Sequence, residues 1–441
     1  MPEKKSNAYD PKRSLENSFY DGTASSMMTG LTQDYFTQFL LLIGGSASHV
    51  GLLNAIPNLA ASLVQLKSAD LAEKLKSRRK VITTFVVFQA LMLIPMAAIA
   101  VSRHTSPLLF ILLVTAFTCI GAFAGPAWAS LMGDLVSEDK RGEYFGWRNR
   151  TLGFVLVGST FAAGLILQYM KGVDIFIGFG ILFASASICR MVSAYFLGRM
   201  DEPPMECKRE NYFTFYAFLR RVRESNFAKF VVFIAAMNFS VNLAAPYFAV
   251  LMLKNLHFSY LTYTVLTITA TLTIYLTIGR WGKTADKYGN LTVIKSTAII
   301  IAILPILWVV SLEPAFLFAA QILSGFAWAG FNLSASNFIY DSVTPPKRTR
   351  CIAYFNVLNG AALCCGAIIG GYLTQVLPPV FGYPILALFL VSGPLRLAIA
   401  ILGPMNLKEV RPVEKGKSQD IFFSVIGVRP HLGIERKTIR Y

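Results

Sequence analysis

The sequence predicts an all-α polytopic membrane protein whose twelve transmembrane helices form two six-helix bundles. Three observations predict this fold: long apolar runs, an uneven distribution of basic residues, and a repeat of the first half in the second. The 441 residues are 54% hydrophobic and only 15% charged, whereas soluble proteins carry about 25% charged residues. A chain with so much apolar surface suits a bilayer better than water.

Apolar runs long enough to cross a bilayer recur along the whole chain. A helix of about 20 apolar residues spans the hydrocarbon layer. The sequence has twelve candidates, and we expect the first, second and tenth to be too polar for a hydropathy average to detect. The predicted spans are 23–44, 50–68, 81–101, 108–129, 152–170, 175–197, 230–253, 261–281, 291–310, 315–336, 351–376 and 383–402. No cleaved signal peptide is expected before them.

Basic residues collect on one side of this predicted topology. If the connections alternate between two sides, 36 of the 41 Lys and Arg residues fall on the side of both termini. Three fall on the other side, and Arg190 and Arg396 lie within spans, where we expect their side chains to extend to the interface. Because cytoplasmic loops are enriched in Lys and Arg, both termini are predicted to be cytoplasmic. Short loops favour a bacterial inner membrane.

The longest internal connection divides six spans from six. It contains "NYFTFYAFLRRVRESNFAKF" (211–230), where aromatic residues lie among several Arg residues. This composition is typical of an amphipathic helix at the headgroup layer, with a solvated linker as the alternative. The predicted organisation is a cytoplasmic N-terminal segment over 1–22, bundles over 23–198 and 230–403, the linker over 199–229, and a basic cytoplasmic tail over 404–441.

The second half of the chain repeats the first. At an offset of 213 residues, "ADLAEKLKSRRKVI" (69–82) aligns with "GKTADKYGNLTVI", so that Glu73 matches Asp286. At an offset of 207, Asp134 matches Asp341 and Arg141 matches Arg348. Parallel repeats about an axis along the membrane normal are a known transporter plan, with the substrate site near the midplane between the halves.

The repeated loops combine acidic and basic residues beside helix ends, whose N-termini carry partial positive charge. We interpret them as a reversible ion-pair cluster that latches the two halves together on the cytoplasmic side. The candidate residues of this cytoplasmic gate are Glu73, Arg78, Arg79, Asp134, Arg141, Gly282, Asp286, Lys287, Gly289, Asp341 and Arg348.

The loop "GKTADKYGN" resembles the loop signature of the major facilitator superfamily, with its Gly, Asp and Gly at positions 282, 286 and 289. The first-half copy is weaker, but it keeps a basic cluster at 78–80. "DLVSEDKRGEYFG" and "DSVTPPKRTR" are also similar to that superfamily's loops after the fourth and tenth spans. The resemblance covers nearly the whole chain. It implies two six-helix bundles that rock around a central cavity.

Asp34, in "GLTQDYFTQFL", is the one acidic residue that we place near the bilayer centre. Ionisable groups are costly there and usually functional. We therefore predict that Asp34 takes up and releases a proton during transport, or binds a cationic group of the substrate. The alternative is a structural Asp held by neighbouring hydroxyl and amide groups.

Polar and aromatic residues on the spans that the resemblance places around the cavity are the further candidates. With Asp34, the predicted substrate and proton site comprises Gln33, Tyr35, Gln38, Asn238, Asn242, Tyr247, Trp128, Trp328 and Asn332. Amides and aromatic rings suit a neutral or weakly charged organic molecule. For each residue, helix–helix hydrogen bonding is an equally good interpretation.

The predicted function is a secondary active transporter that moves a small organic solute by alternating access and is coupled to protons. A proton-linked efflux pump, an uncoupled facilitator and a non-transporting receptor or assembly factor on the same fold remain open. The alternative of a membrane-embedded enzyme is not supported, because we find no HExxH, GxSxG or GxGxxG motif in a suitable context.

The expected partners are the solute, protons and the lipid bilayer, and we expect a monomer. The net charge of +17 lies in loops and tails, so we expect no nucleic acid. Six scattered Cys residues indicate neither disulfides nor metal ligands. We expect no cofactor and no metal.

Overall fold

The protein is almost entirely helical. Its computed structural model describes residues 11–75, 77–136, 141–202, 225–343, 345–410 and 413. The helices are α1 (Pro11–Thr32), α2 (Tyr35–Leu42), α3 (Ala47–Leu75), α4 (Arg78–Ser102), α5 (Pro107–Leu135), α6 (Arg141–Met170), α7 (Ile175–Gly198), α8 (Asn226–Asn242), α9 (Tyr247–Val250), α10 (Tyr260–Tyr288), α11 (Asn290–Val310), α12 (Pro314–Ser342), α13 (Pro345–Val376) and α14 (Pro384–Leu402). A π-helical turn, Leu251–Asn255, extends α9.

These helices make twelve passes, because α1 with α2 and α8 with α9 each form one interrupted pass. Ten helical segments of the described chain are long and apolar enough to cross a membrane. The first two passes, α1–α2 and α3, do not qualify, as the sequence predicted. The tenth, α12, does qualify, so that expectation was wrong: its 18-residue window reaches a mean hydropathy of 1.4 despite its Asn residues.

The helices pack as two bundles with the same internal arrangement. In the first bundle α4 packs against α5 and α7, and α1 packs against α6 and α7. In the second bundle α11 packs against α12 and α14, and α8 packs against α13 and α14. Each contact in one bundle has its counterpart one half-chain later, so the sequence repeat is also a repeat of packing.

The two bundles meet along two helix pairs, α3 with α13 and α6 with α10. We call this interface the seam. Gly51 of α3 lies so close to α13 that an added Cβ would be 2.8 Å from the carbonyl oxygen of Ala367. Gly164 of α6 lies equally close to α10, where a Cβ would be 2.6 Å from Oγ1 of Thr264. Small residues let helix backbones approach closely in a membrane.

The helix ends define two ends of the molecule. The beginnings of α1 and α8 lie beside the ends of α7 and α14, since Ser14 accepts from the backbone N–H of Asp201 at 2.9 Å and Asn226 donates to the carbonyl of Lys408 at 2.8 Å. We call this the terminal end and the opposite one the far end. The largest apolar cluster lies toward the far end and draws buried residues from both bundles, including Phe39, Phe179, Leu251 and Leu386.

Hydrogen bonds also join the bundles in the far half of the molecule. The hydroxyl of Tyr35 in α2 lies 3.0 Å from Oγ1 of Thr264 in α10. Gln375 of α13 donates to Ser48 of α3. Near the terminal end, Asn356 of α13 donates to Gln65 of α3 at 3.1 Å.

Candidate functional site

Arg78 organises a charged cluster at the terminal end of the first bundle. Ser77 caps α4 by accepting from the N–H of Lys80, which places buried Arg78 at the first helical position. Its Nη1 donates to Asp134 at the end of α5 over 2.6 Å. Its backbone N–H donates to Glu202, after α7, over 2.6 Å. One residue therefore ties together the ends of α4, α5 and α7.

Glu202 is held in its charged form. Partial burial opposes ionisation, but the hydroxyl of Ser77 and the backbone N–H of Arg78, both 2.6 Å away, donate to the carboxylate. These hydrogen bonds outweigh the burial and lower the pKa of Glu202 below its ordinary value. Arg79 donates to the carbonyl of Met200 at 3.0 Å, which fixes the same loop.

The second bundle has the same arrangement, but the neutral residue Asn290 takes the place of Arg78. Asn290, at the first position of α11, donates to Asp341 at the end of α12 over 2.9 Å. Glu409, after α14, accepts from the backbone N–H of Leu291 over 2.7 Å. Sequence analysis missed Glu202, Asn290 and Glu409. The offset of 207 that relates Asp134 to Asp341 also relates Glu202 to Glu409, and it was the available signal.

The remaining gate candidates are placed differently. Gly289 ends α10 with φ of 91°, a left-handed conformation that glycine adopts readily. Asp286 and Lys287 are exposed in the last turn of α10, while Gly282 is half-buried two turns earlier. The side chains of Glu73, Arg141 and Arg348 lie outside the described residues. The ion pairs of Arg78 join helices of the first bundle, so a latch between the bundles stays a prediction.

Asp34 lies at the break between α1 and α2. It stands at the N-cap position of α2 without forming a cap hydrogen bond, and it is half-buried. At 1.5 Å per residue, it lies about 12 Å from the end of α2 at Leu42. Because the first pass begins at Pro11 and not at residue 23, Asp34 lies in the far half of the bundle and not at its centre.

Gln38, one turn after Asp34, is a buried amide without hydrogen-bond partners in the described chain. It is 1% exposed, and neither its Oε1 nor its Nε2 has a hydrogen-bond partner in the described chain. Tyr35, between them, is fully buried and donates to the carbonyl of Thr160 at 2.5 Å. The same hydroxyl lies 3.0 Å from Oγ1 of Thr264 in α10. The break at Asp34 therefore lies beside the α6–α10 part of the seam, which Tyr35 contacts, whereas Gln33 is exposed.

Two candidate amides of the second bundle lie on α8, which is hydrogen-bonded to α13 through one of them. Asn238 of α8 donates to Asn359 of α13 at 2.6 Å, and Asn242 donates to the carbonyl of Asn238 at 3.1 Å. Asn359 was not predicted. Tyr247 is fully buried, and its hydroxyl donates to the carbonyl of Ala367 at 2.5 Å. Its position at the seam indicates a packing role and not a free binding group.

Trp328 and Asn332 lie on one face of α12, which packs against α10 and α11 on other faces. Trp328 is half-buried against Phe331 with ring centroids 5.6 Å apart. Asn332 and Ser336, one turn apart, are exposed. Exposed amide and hydroxyl groups in this segment would be unfavourable against lipid.

Charged residues that sequence analysis placed in terminal-side segments lie inside the first bundle. Asp21 is 5% exposed on α1 and Arg148 is 6% exposed on α6. The Arg148 guanidinium lies 4.8 Å from the ring centroid of Trp128 on α5. Both charges were missed because helices α1 and α6 begin about three turns before the predicted spans. Trp128 of α5 thus contacts the charge of Arg148, which lies on the next helix, α6.

The expectation that Arg190 and Arg396 extend to the interface was wrong. Arg190 is 9% exposed and Arg396 is 2% exposed. Arg190 donates to Gln89 at 2.8 Å, and Arg396 donates to Ser392 at 2.9 Å. Polar partners inside each bundle satisfy these guanidinium groups, so their side chains bend inward. Among the described residues, no group of three or more His, Cys, Asp or Glu residues is placed to hold a metal ion.

Comparison with solved structures shows a shared fold at low identity. The structure superposes on a mutant of nucleoside transporter NupG with a TM-score of 0.69 and 14% identity, over 88% of this chain and 98% of that one. A POT family transporter in complex with 5-aminolevulinic acid gives a TM-score of 0.70 with 11% identity, over 88% and 95%.

A bacterial homologue of the human lysosomal transporter Spinster, in an inward-facing and unoccupied conformation, gives a TM-score of 0.61 with 14% identity, over 96% of this chain and 95% of that one. No curated protein matches the sequence. The sequence profile of the Major Facilitator Superfamily matches residues 18–239 and 230–432. Twelve helical passes in two repeated bundles agree with this match. The chain is a multi-pass membrane protein and belongs to the major facilitator superfamily.

Proposed function

We propose that this protein is a secondary active transporter that moves a small organic solute across the cell membrane by alternating access. The observation that supports this best is the polar site at the break in the first pass, where Asp34 directly precedes Tyr35, whose hydroxyl contacts Thr264 across the seam. Neighbouring Gln38 is buried, and both of its amide atoms lack a hydrogen-bond partner among the described residues. Buried polar groups without partners are costly, so a resting structural role explains this site poorly.

Asp34 is the proposed proton-coupling residue. A carboxylate within a membrane protein is costly to keep charged and is typical of proton relays. Asp34 forms no cap hydrogen bond to α2, so no capping interaction stabilises its charged form over its protonated form. Movement at the seam would change its surroundings, which couples protonation to the conformation of the bundles.

Both termini are proposed to be cytoplasmic, because the basic residues collect at their end. The terminal-end cluster around Arg78 and its counterpart at Asn290 then lie at the cytoplasmic surface, where they rigidify each bundle during rocking. A proton-linked efflux pump and an uncoupled facilitator use the same architecture, and so does a receptor without transport.

A solute screen on the Asp34→Asn variant tests the proposal. Purified protein in detergent is heated with a panel of small organic solutes at pH 5.5 and pH 7.5, and the shift of the unfolding midpoint is measured. A symporter is expected to bind its solute more tightly at pH 5.5, and a proton antiporter at pH 7.5. Asp34→Asn should bind equally at both pH values, while Glu313→Gln, an exposed far-end control without a cap hydrogen bond, should behave like wild type.

Proteoliposomes then test transport of the solute that binds. An imposed proton gradient should accelerate movement by wild type and by Glu313→Gln but not by Asp34→Asn. Equal binding and equal transport by all three proteins at both pH values would eliminate the coupling role and favour a facilitator. Binding without any transport would favour the receptor.

A further inference from the structure

A cavity of about 300 Å³ lies within the first bundle, among α1, α4, α5, α6 and α7. Its polar wall carries Asp21, Arg148, Arg190 and Trp128. This site is separate from Asp34: Asp21 and Asp34 are thirteen positions apart on the first pass, or about 20 Å at 1.5 Å per residue. The proposed coupling mechanism leaves these charges unused.

Arg190 is already satisfied by protein groups. Its Nε donates to Gln89 at 2.8 Å, and its Nη1 donates to Ser25 at 2.8 Å and to Ser193 at 3.1 Å. Ser193 in turn donates to Asp21 at 2.6 Å. Arg190 therefore belongs to the same hydrogen-bonded network as Asp21, the one carboxylate in the described lining of the cavity. Its role is structural.

Arg148 is less fully satisfied than Arg190, although the hydroxyl of Tyr144 also interacts with its guanidinium. Its Nη2 donates to the carbonyl of Ser18 at 2.9 Å, but its contact with Asp21 is loose at 3.9 Å. Its Nε is buried without a partner in the described chain. The indole Nε1 of Trp128 is buried near Asp21 without a hydrogen bond of normal geometry. Two buried N–H donors beside the cavity thus lack a hydrogen bond of normal geometry within the described chain, although Asp21 lies near the indole of Trp128.

The charges of the cavity do not balance. Two guanidinium groups face one carboxylate, so the described lining has a net charge of +1. Uncompensated charge buried in a membrane protein is costly, and a guanidinium binds planar oxyanions through its fork of donors. An anion that accepts from Arg148 Nε and Trp128 Nε1 would satisfy both donors and neutralise the cavity.

The geometry points to a carboxylate subsite in the first bundle that takes a small monocarboxylate with an apolar body. A single negative charge balances the lining. The remaining wall, which includes Ile82, Val86 and Leu152, is apolar. A cavity of about 300 Å³ lies at the lower limit for ligand pockets, which restricts the solute to a small molecule. This inference deepens the proposed function, on which it rests, by naming the class of its solute.

Binding of benzoate and butyrate to the full-length protein tests the subsite. Unfolding midpoints are measured with each carboxylate and with benzamide or butyramide, at ionic strength matched with sodium chloride. Only the carboxylates are expected to stabilise wild type. Arg148→Gln should weaken their binding about tenfold or more, the factor that corresponds to 1.4 kcal/mol. Arg150→Gln, which removes an exposed charge two residues away on the same helix, should bind like wild type.

Two further variants keep the test decisive if Arg148→Gln does not fold. Trp128→Phe keeps an aromatic ring but removes the N–H, so carboxylate binding should weaken several-fold. Asp21→Asn removes the competing negative charge, so the same carboxylates should bind more tightly, an outcome that misfolding does not produce. Equal stabilisation by amides, equal losses in Arg148→Gln and Arg150→Gln, or weaker binding by Asp21→Asn would each overturn the subsite.

Transport measurements separate this inference from the proposed function. Carboxylate binding that depends on Arg148 without uptake into proteoliposomes would keep the subsite and contradict transport. Asp34-dependent uptake of a solute that lacks a carboxylate, with no binding of benzoate or butyrate, would keep the transporter and overturn the subsite.

Discussion

Buried polar side chains in this protein divide into those with internal partners and those without. Buried Arg396 and Tyr35 and half-buried Asn238 are paired, and each joins neighbouring helices. Gln38 and the Nε of Arg148 are unpaired in the described chain. Because an unpaired buried group loses its hydration without compensation, the unpaired groups are the ones that we assign to solute and proton handling.

Tyr35→Phe tests how one hydroxyl couples the bundles. Its hydroxyl lies 3.0 Å from Oγ1 of Thr264, and both residues are buried. Tyr35→Phe and Thr264→Val should each reduce the free energy of unfolding by about 1 kcal/mol. The double variant should lose less than the sum by about 0.5 kcal/mol or more, because the residues share one interaction. Denaturant unfolding in detergent measures all three; strict additivity would show that the hydroxyl groups do not interact.

At the level of elements, the interrupted helices stand at equivalent places in the two halves. The first pass breaks at Asp34 and the seventh breaks before Tyr247 at Pro246, at an offset of 212. Proline has no backbone N–H and weakens a continuous helix, which explains the second break. The first break has no proline; the ionisable residue Asp34 occupies it, one turn before Gln38, whose amide atoms have no partner in the described chain.

The start of α4 is stabilised by Ser77 and Glu202, and this arrangement predicts a specific response to pH. Ser77→Ala should reduce the free energy of unfolding by about 1 kcal/mol, since it removes the N-cap. Because the pKa of Glu202 is lowered in the folded protein, its contribution is fully present above the ordinary carboxylate pKa of about 4.3. It is lost as the pH falls through the lowered pKa.

Unfolding midpoints of wild type and Glu202→Gln, measured from pH 7 to pH 3, check this response. The difference between them should stay constant above about pH 4.3 and shrink below it. Glu313→Gln, whose carboxylate forms no cap hydrogen bond, serves as the control and should track wild type. A Glu202→Gln difference that shrinks already between pH 7 and pH 5 would contradict the lowered pKa.

At the level of the whole molecule, the seam joins the two bundles through two helix pairs. Contacts between α3 and α13 and between α6 and α10 are related by the repeat. The far half adds the Tyr35 and Gln375 hydrogen bonds and an apolar cluster shared by both bundles. The rocking motion proposed above would have to break these contacts in order to open the far end.

Gly51→Ala should open the far end. An added methyl would overlap the hydroxyl of Tyr247 and lie 2.8 Å from the carbonyl oxygen of Ala367. Overpacking of this kind costs about 1–3 kcal/mol, which the bundles relieve by separating. Gly158→Ala is the matched control, because a Cβ at this helical glycine meets nothing within 4 Å.

Spin labels at His104 and Glu313, one exposed far-end position in each bundle, measure the separation in a background without native cysteines. Gly51→Ala should broaden the distance distribution toward longer values, and Gly158→Ala should leave it unchanged. Identical distributions in both variants would show that the close approach at Gly51 does not hold the far end together.

The fold could be predicted from the sequence because the insertion of a helix into a membrane depends on local composition. Apolar runs and the bias of basic residues need no knowledge of tertiary contacts. The same holds for the repeat, which indicated Asp134 and Asp341 before their partners were known. The order of helices and their division into two bundles therefore follow from the sequence by itself.

Only the tertiary structure decided which polar residues are satisfied. Asp21 and Arg148 lie far apart in the sequence and beyond the apolar runs, so no local pattern joins them. Arg190 was expected at the interface, but its partners Gln89 and Ser25 come from other helices. Hydrogen bonds between helices depend on how the helices rotate and pack, and that information is absent from hydropathy. The fold was therefore determined by the sequence alone, whereas the candidate carboxylate subsite was decided by packing.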